Sequence, residues 1–279
     1  MHEVTLKDGR TLAVEEWGDP DGIPVFYVCG SPMSRLARYP DVRLFSQLGV
    51  RLLTYDRPGL GYSTPKPGRR IIDGANDIKA IIDALGLDRV PIFGVSGGGP
   101  HALAMAALFP DRISKIATMA SPAPRDAKGL EWTDGMGDGN RASAIAAARG
   151  RDALEAHITS LRSSTVPALL PRNDQEVVSR PEVSEMLGIA FTEAVRPGLA
   201  GWIDDAYALF GLPWGFDPAT IIRPPRIWHG GSDAVVPVTH GRWLAARIPN
   251  ATFILEPDAG HLGHFDATPA LLEWLISED

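Results

Sequence analysis

Residues 4–6, the Asp8-Gly9 dipeptide and residues 11–17 alternate apolar and polar side chains around a turn. This period-two pattern predicts an opening hairpin of two antiparallel strands. Beyond it the rhythm changes to short, continuous apolar runs at residues 25–28, 50–55, 90–95, 113–119, 226–229 and 252–255. Runs of that length without a polar face predict strands covered on both sides, the pattern of a parallel sheet. Ile78, Ile81, Ile82 and Leu85 keep the one-face spacing of a helix that ends at Gly86. Residues 102–108 predict a nearly all-apolar helix that stops before Pro110. Strand and helix in alternation predict an α/β fold on a doubly wound, mostly parallel sheet flanked by helices.

The strand rhythm is absent from residues 122–218, where residues 142–148, 151–161 and 182–194 have helical patterns. The predicted organisation is a core of residues 1–121 and 219–279, with residues 122–218 inserted as a mainly helical cap. Large side chains concentrate in this insert: Trp132, Met136, Phe191, Trp202, Tyr207, Phe210 and Trp214. In a lid over an apolar pocket such residues meet the ligand, which makes Trp132, Trp202 and Trp214 the candidate substrate-binding residues. A separate helical layer also needs a core of its own, so packing inside the cap is the competing role for each. The glycine-rich stretch 135–139 is expected to be a loop within the cap.

Gly94-Val95-Ser96-Gly97-Gly98 follows the run at 90–95 and opens the helix around Ala102. A serine held in a sharp strand-to-helix turn needs neighbours without a Cβ, so that the two backbone segments can approach closely. The turn also sets Ser96 at a helix N-terminus, where free N–H groups and the positive dipole end favour an oxyanion. Glycine and serine connect strand to helix in nucleotide-binding folds too, so the motif gains meaning only from its partners. A serine nucleophile needs a base, and the base needs an orienting carboxylate. Asp233, in Gly230-Gly231-Ser232-Asp233-Ala234-Val235-Val236-Pro237 just past the run at 226–229, fits the carboxylate. His261, in Ala259-Gly260-His261-Leu262-Gly263-His264 just past the run at 252–255, fits the base.

The chain order Ser96, Asp233, His261 and the G-x-S-x-G context resemble the α/β-hydrolase fold family, over nearly the whole sequence. Tyr55-Asp56-Arg57-Pro58-Gly59-Leu60-Gly61-Tyr62-Ser63 looks like that family's D-x-x-G-x-G-x-S segment, which implies structural roles for Asp56 and Arg57. Cys29-Gly30-Ser31-Pro32 sits where relatives carry His-Gly-x-Pro, whose proline often follows a cis peptide. By that resemblance the backbone N–H groups of Ser31 and Gly97 are the oxyanion donors. Cys29 departs from the pattern, because the histidine of relatives steadies this loop, and here water or another side chain has to substitute. The resemblance implies an esterase-like serine hydrolase that attacks an acyl carbonyl with Ser96. The substrate expected is a small or medium, largely apolar carboxylic ester, with lactones, amides and C–C bonds left open.

Two other readings compete. A proline-iminopeptidase-like amide hydrolase would need acidic cap residues for the substrate's amine, and Glu182, Glu185 and Glu193 look instead like solvated helix faces. A non-hydrolytic receptor or biosynthetic protein on the same fold has Cys29 as its main sign. Haloalkane dehalogenases and epoxide hydrolases carry aspartate at the nucleophile position, where this chain has Ser96.

Composition narrows the partners. A length of 279 residues with 44% hydrophobic side chains can fill one large core. The net charge of −7 and scattered basic residues lack the footprint of a nucleic-acid binder, and a small-molecule substrate is the expected partner. No apolar run approaches the roughly 20 residues of a membrane span, and residues after Met1 show no signal-peptide pattern, so no membrane partner and a cytoplasmic location are expected. The single cysteine rules out an intrachain disulfide, and seven histidines without metal-ligand spacing imply neither metal nor cofactor. Among the other histidines His264 is nearest to His261 and reads as a packing residue. His101, His157, His229 and His240 lack a comparable motif context.

Overall fold

The computed structural model describes residues 1–161 and 170–278. The opening alternation becomes β1 (His2–Thr5) and β2 (Thr11–Gly18), paired antiparallel with Val4 opposite Leu12. The apolar runs become β3 (Ile23–Val28), β4 (Val50–Tyr55), β5 (Val90–Val95), β6 (Ile113–Met119), β7 (Arg226–Gly230) and β8 (Thr252–Glu256). All join one sheet in the order β1-β2-β4-β3-β5-β6-β7-β8. β2 runs antiparallel to β4, and the remaining neighbours are parallel, as the unbroken apolar runs predict.

Helices follow in chain order: α1 (Arg43–Gln47), α2 (Asp73–Ala84), α3 (Gly99–Leu108), α4 (Asp138–Ala148), α5 (Arg151–Ser160), α6 (Gln175–Val178), α7 (Pro181–Ala194), α8 (Ala200–Phe210), α9 (Val238–Arg247) and α10 (His264–Ile276). The pleat of β3 shows how two layers are recruited. Phe26 and Val28 point to one face, against Ile78 and Ile81 of α2 and Leu103 of α3, while Val25 and Tyr27 point to the other, against Phe45 of α1 and Leu272 of α10. Between β6 and β7 the described residues form helices and no strand, in agreement with the pattern of residues 122–218. The glycine-rich stretch is only partly a loop, since α4 begins at Asp138 and the Gly137 N–H donates to the Ala234 carbonyl at 2.6 Å.

The run at 252–255 departs from expectation. It forms a strand, but Ile254 and Leu255 remain 37% and 39% exposed. β8 closes the sheet at one edge, and only Phe253 packs into the core beneath it. Periodicity cannot distinguish this edge position from a central one. No helix among the described residues is long and apolar enough to cross a membrane.

The strand order has one consequence for the site. From β3 the chain moves outward to β4 and then returns to β5 on the other side of β3, so the carboxyl ends of β3 and β5 lie together, with Val28 opposite Gly94. Open α/β sheets leave a crevice at such a switch point.

Candidate active site

Ser96 leaves the end of β5 with φ of +52°, the left-handed region that a non-glycine residue seldom occupies. A short 3₁₀ turn, Ser96–Gly98, then leads into α3. The turn is so compressed that a Cβ built on Gly98 would lie 2.0 Å from the Val28 carbonyl oxygen, and one on Gly94 2.5 Å from the Gly98 oxygen. Backbone cannot yield there as a side chain can. Gly98→Ala is therefore expected to destabilise the fold by about 2–3 kcal/mol or more, as overpacking does, measured as a lower urea midpoint with an unchanged m-value. A midpoint matching the wild type would show that β3 and the turn are not in this contact.

Asp233 follows β7 in the loop the sequence indicated. Its Oδ1 accepts the backbone N–H groups of Val235 and Val236, both at 2.8 Å, which fixes the carboxylate plane. Its Oδ2 lies 2.8 Å from Nδ1 of His261. A carboxylate only accepts, so Nδ1 carries the proton and Nε2 is left with its lone pair. His261 opens a 3₁₀ turn before α10, and the turn is held by Asp174, whose Oδ1 accepts the Leu262 N–H at 2.6 Å. Burial by itself lowers the His261 pKa, but the charge and hydrogen bond of Asp233, joined by the charge of Asp174, outweigh it and leave the imidazole more basic than an ordinary histidine. Asp174 carries no motif that sequence reading could have singled out.

The 29–32 loop runs beside Ser96. A Cβ on Gly30 would lie 3.8 Å from Ser96 Oγ, and one on Gly97 3.3 Å from the Ser31 nitrogen, so the backbones of Ser31 and Gly97 are brought together. The Ser31-Pro32 peptide is cis.

The steadying group that Cys29 fails to provide comes from Arg57. Its Nη1 donates to the Cys29 carbonyl at 2.6 Å and its Nη2 to the Gly30 carbonyl at 2.9 Å. Nε and Nη2 also reach both oxygens of Asp205 on α8, at 2.9 and 2.7 Å, and Arg69 Nη2 adds a bond of 2.7 Å to the same carboxylate. Arg57 and Asp205 are fully buried. Burial alone would favour their neutral forms, yet each holds the other charged, with Asp205 well below the usual carboxylate range and Arg57 above its own. Asp56 has a different task, accepting the Arg35 N–H at 2.6 Å and the Tyr62 N–H at 3.0 Å to shape its own loop. The Cys29 thiol is turned to the Met33 carbonyl at 3.2 Å, and burial pushes its pKa up to about 11, which suits a buried hydrophobe and not a nucleophile.

Ser96, His261, Ser31 and Gly97 share a cavity of about 210 Å³. α7 and α8 roof it with Met186, Leu187, Phe191, Trp202, Leu209 and Phe210. Of the three candidate tryptophans, Trp202 lines the cavity. Trp132 and Trp214 do not line the cavity. Trp132 is spent on structure, donating from Nε1 to the Ala123 carbonyl at 3.0 Å and packing edge-on against Phe210. Trp214 stacks on Phe216 and joins the core beside α3. His264, read as packing, does line the cavity, whereas His101, His229 and His240 are buried on the backbone oxygens of Ile71, Val236 and Trp132. Among the described residues no group of three or more His, Cys, Asp or Glu side chains is placed to hold a metal ion.

Comparison with known proteins agrees with this fold. A non-heme chloroperoxidase of Streptomyces lividans is 32% identical over 138 residues, 49% of this chain and 50% of the relative, so the chain spans about half the length of that relative. A 2-hydroxy-6-oxononadienedioate/2-hydroxy-6-oxononatrienedioate hydrolase of Cupriavidus pinatubonensis is 25% identical over 287 residues, 98% of this chain and 93% of the relative. A thermophilic esterase from Thermogutta terrifontis has a solved structure that superposes with a TM-score of 0.70 at 25% identity, covering 98% of this chain and 97% of that one. The model of the alpha/beta hydrolase fold family matches residues 23–268, which takes in Ser96, Asp233 and His261 together with the strands that carry them. The chain therefore belongs to the alpha/beta hydrolase fold family.

Proposed function

We propose that this protein is a serine hydrolase that cleaves a small or medium, largely apolar carboxylic ester through an acyl-enzyme on Ser96. The observation that carries the reading is the 2.8 Å bond from His261 to Asp233, in a cavity that also holds Ser96. Nε2 of His261 takes the Ser96 proton as Oγ attacks the acyl carbonyl, and Asp233 keeps the imidazole in the required tautomer and balances the imidazolium. The N–H groups of Ser31 and Gly97 receive the oxyanion, and α3 adds the positive end of its dipole. His261 then returns the proton to the leaving alcohol, and water activated by the same nitrogen releases the acid. In this reading residues 122–218 act as the cap that excludes bulk water from the acyl-enzyme.

The cavity supports the size class, since about 210 Å³ falls below the roughly 300–1,000 Å³ of sites for drug-sized ligands. No Asp or Glu among the described residues lines it, so the ammonium of an aminopeptidase substrate would find no counter-ion. Glu193 is already paired with Arg35 at 2.8 Å.

The test is a panel of 4-nitrophenyl esters from acetate to octanoate beside a prolyl amide, with fluorophosphonate labelling followed by peptide mapping. Turnover on the shorter esters and a label on Ser96 are expected; no turnover together with no label at Ser96 would sink the proposal. The pH profile supplies a second check. His261 acts only when neutral, so kcat/KM rises with pH through its pKa, and the rise is expected above the ordinary histidine value of 6.5. Asp174→Asn removes one of the charges that raise that pKa, and the rise moves to lower pH. A profile that Asp174→Asn leaves in place would assign the limb to another group.

A further inference from the structure

Among the described residues one Lys, Arg, Asp or Glu side chain lines the cavity, and its position is not explained by the chemistry at Ser96. Arg38 lines the cavity with its guanidinium stacked on Trp17, 4.0 Å from the ring centroid. Its Nη1 donates to the Leu36 carbonyl at 2.8 Å, but Nε is buried without a hydrogen-bond partner, and among the described residues no carboxylate lies within ion-pair distance. Arg38 is half-buried, and the more deeply buried arginines among the described residues each have an acid beside them: Arg35 has Asp56, and Arg57 and Arg69 have Asp205. Desolvation without a counter-ion lowers the Arg38 pKa, the reverse of what Arg35 and Arg57 show.

Two more unspent polar groups lie beside it. Tyr27, Arg38, Val95, His264 and Phe265 line both the main cavity and a small void of about 10 Å³ adjoining it. Tyr27 is 7% exposed and stacks on Phe93, with its hydroxyl making no hydrogen bond among the described residues. His264 is 6% exposed, and its Nδ1 is buried without a partner. Arg38 thus spends Nη1 on Leu36 and keeps Nε without a partner, while the Tyr27 phenol and the His264 imidazole make no side-chain hydrogen bond among the described residues. A planar guanidinium fork matches a carboxylate better than any neutral group.

We propose that Arg38, Tyr27 and His264 form a carboxylate-binding subsite of the active-site cavity, and that the ester cleaved at Ser96 carries a free carboxylate on its otherwise apolar body. The second half of this inference rests on the reading of Ser96 as an ester-cleaving nucleophile; the first half does not.

Binding and turnover are therefore measured apart. Ser96→Ala protein is titrated by calorimetry with glutarate and with dimethyl glutarate. Glutarate is expected to bind and the diester not, and Arg38→Met on the same background weakens glutarate about tenfold or more, the value of a charge-assisted hydrogen bond at a buried site. Arg38→Lys keeps the charge and recovers part of the affinity. Absence of glutarate binding, or equal binding with Met at position 38, overturns the subsite. With wild-type protein, 4-nitrophenyl hemiglutarate is compared with 4-nitrophenyl pentanoate, and 4-acetoxybutanoate with butyl acetate, to place the carboxylate in the acyl part or the leaving group. A preference of about tenfold for the acidic member of one pair, reduced by Arg38→Met, supports the inference; neutral esters equal or preferred in both pairs overturn the substrate assignment. Glutarate binding that depends on Arg38, with no ester turned over, would retain the subsite and remove the hydrolase reading instead.

Discussion

Ser96→Ala is expected to lower kcat for a short-chain 4-nitrophenyl ester by roughly 10⁴–10⁶-fold, the range found when a serine nucleophile is removed from a working triad. At about 1.4 kcal/mol per factor of ten, this corresponds to roughly 5–8 kcal/mol of transition-state stabilisation. The residue left behind still has His261, Asp233 and the facing N–H groups, so a small residual rate above the uncatalysed one persists. A decrease of less than tenfold would show that the attacking oxygen comes from elsewhere, for instance from water activated directly by His261. The same position yields a second observable with the opposite sign. Ser96 sits at φ of +52°, and a side chain in that region costs of order 1–2 kcal/mol. Ser96→Gly removes nucleophile and strain together, so activity is lost while Tm rises by about 2–4 °C. A serine retained at a strained position whose removal improves stability is what a functional, and not a structural, role produces.

Substitution of Arg57 carries the second large effect. Arg57→Met releases the carbonyls of Cys29 and Gly30 and leaves Asp205 with Arg69 as its remaining charged partner. Breaking a buried pair costs about 3–5 kcal/mol, and a displaced oxyanion donor costs about 10²–10³ in kcat. Arg57→Lys separates the two consequences. Lysine keeps a positive charge near Asp205 and recovers part of the stability, but its single ammonium cannot span two carbonyls and both carboxylate oxygens. The expected result is a folded enzyme whose kcat is down about a hundredfold, with KM for a small ester changed little, and with an equal loss of affinity for a boronic acid that mimics the tetrahedral intermediate. Arg57→Lys with kcat within twofold of wild type would show that the loop holds its shape without this tether.

The residues most easily read from sequence are those whose roles depend on near neighbours. Ser96 announces itself because the glycines at 94 and 98 are required within a few residues of it, and Asp233 and His261 each follow a short apolar run that marks a strand end. The same locality makes β1 to β7 legible. Arg57 and Asp205 are 148 positions apart, and neither belongs to a pattern that names the other. Arg57 resembles a loop-shaping residue, and only the sheet order brings its guanidinium under the 29–32 loop. Asp174 meets the backbone beside His261 across 88 positions, with no periodicity to betray it. The tryptophans illustrate the complementary failure. Composition shows that the insert is rich in aromatic side chains, but Trp132, Trp202 and Trp214 differ only in which way their helix or loop turns, and just one faces the cavity.

The tether between Arg57 and Asp205 also bears on how far this protein can be recombined. Arg57 stands on the sheet side of the molecule, whereas Asp205 is on α8, in the helical segment between β6 and β7. α8 supplies Trp202, Ala206, Leu209 and Phe210 to the cavity as well. Under the proposed function, the segment that would select the substrate and the loop that would stabilise the intermediate are therefore not independent modules. A chimera that imports the helical segment of a relative without an acid at the position of Asp205 would inherit new selectivity and, in the same step, strand two buried guanidinium groups beneath the reacting carbonyl. Grafting here requires the acid to travel with the new segment, or Arg57 and Arg69 to change along with it.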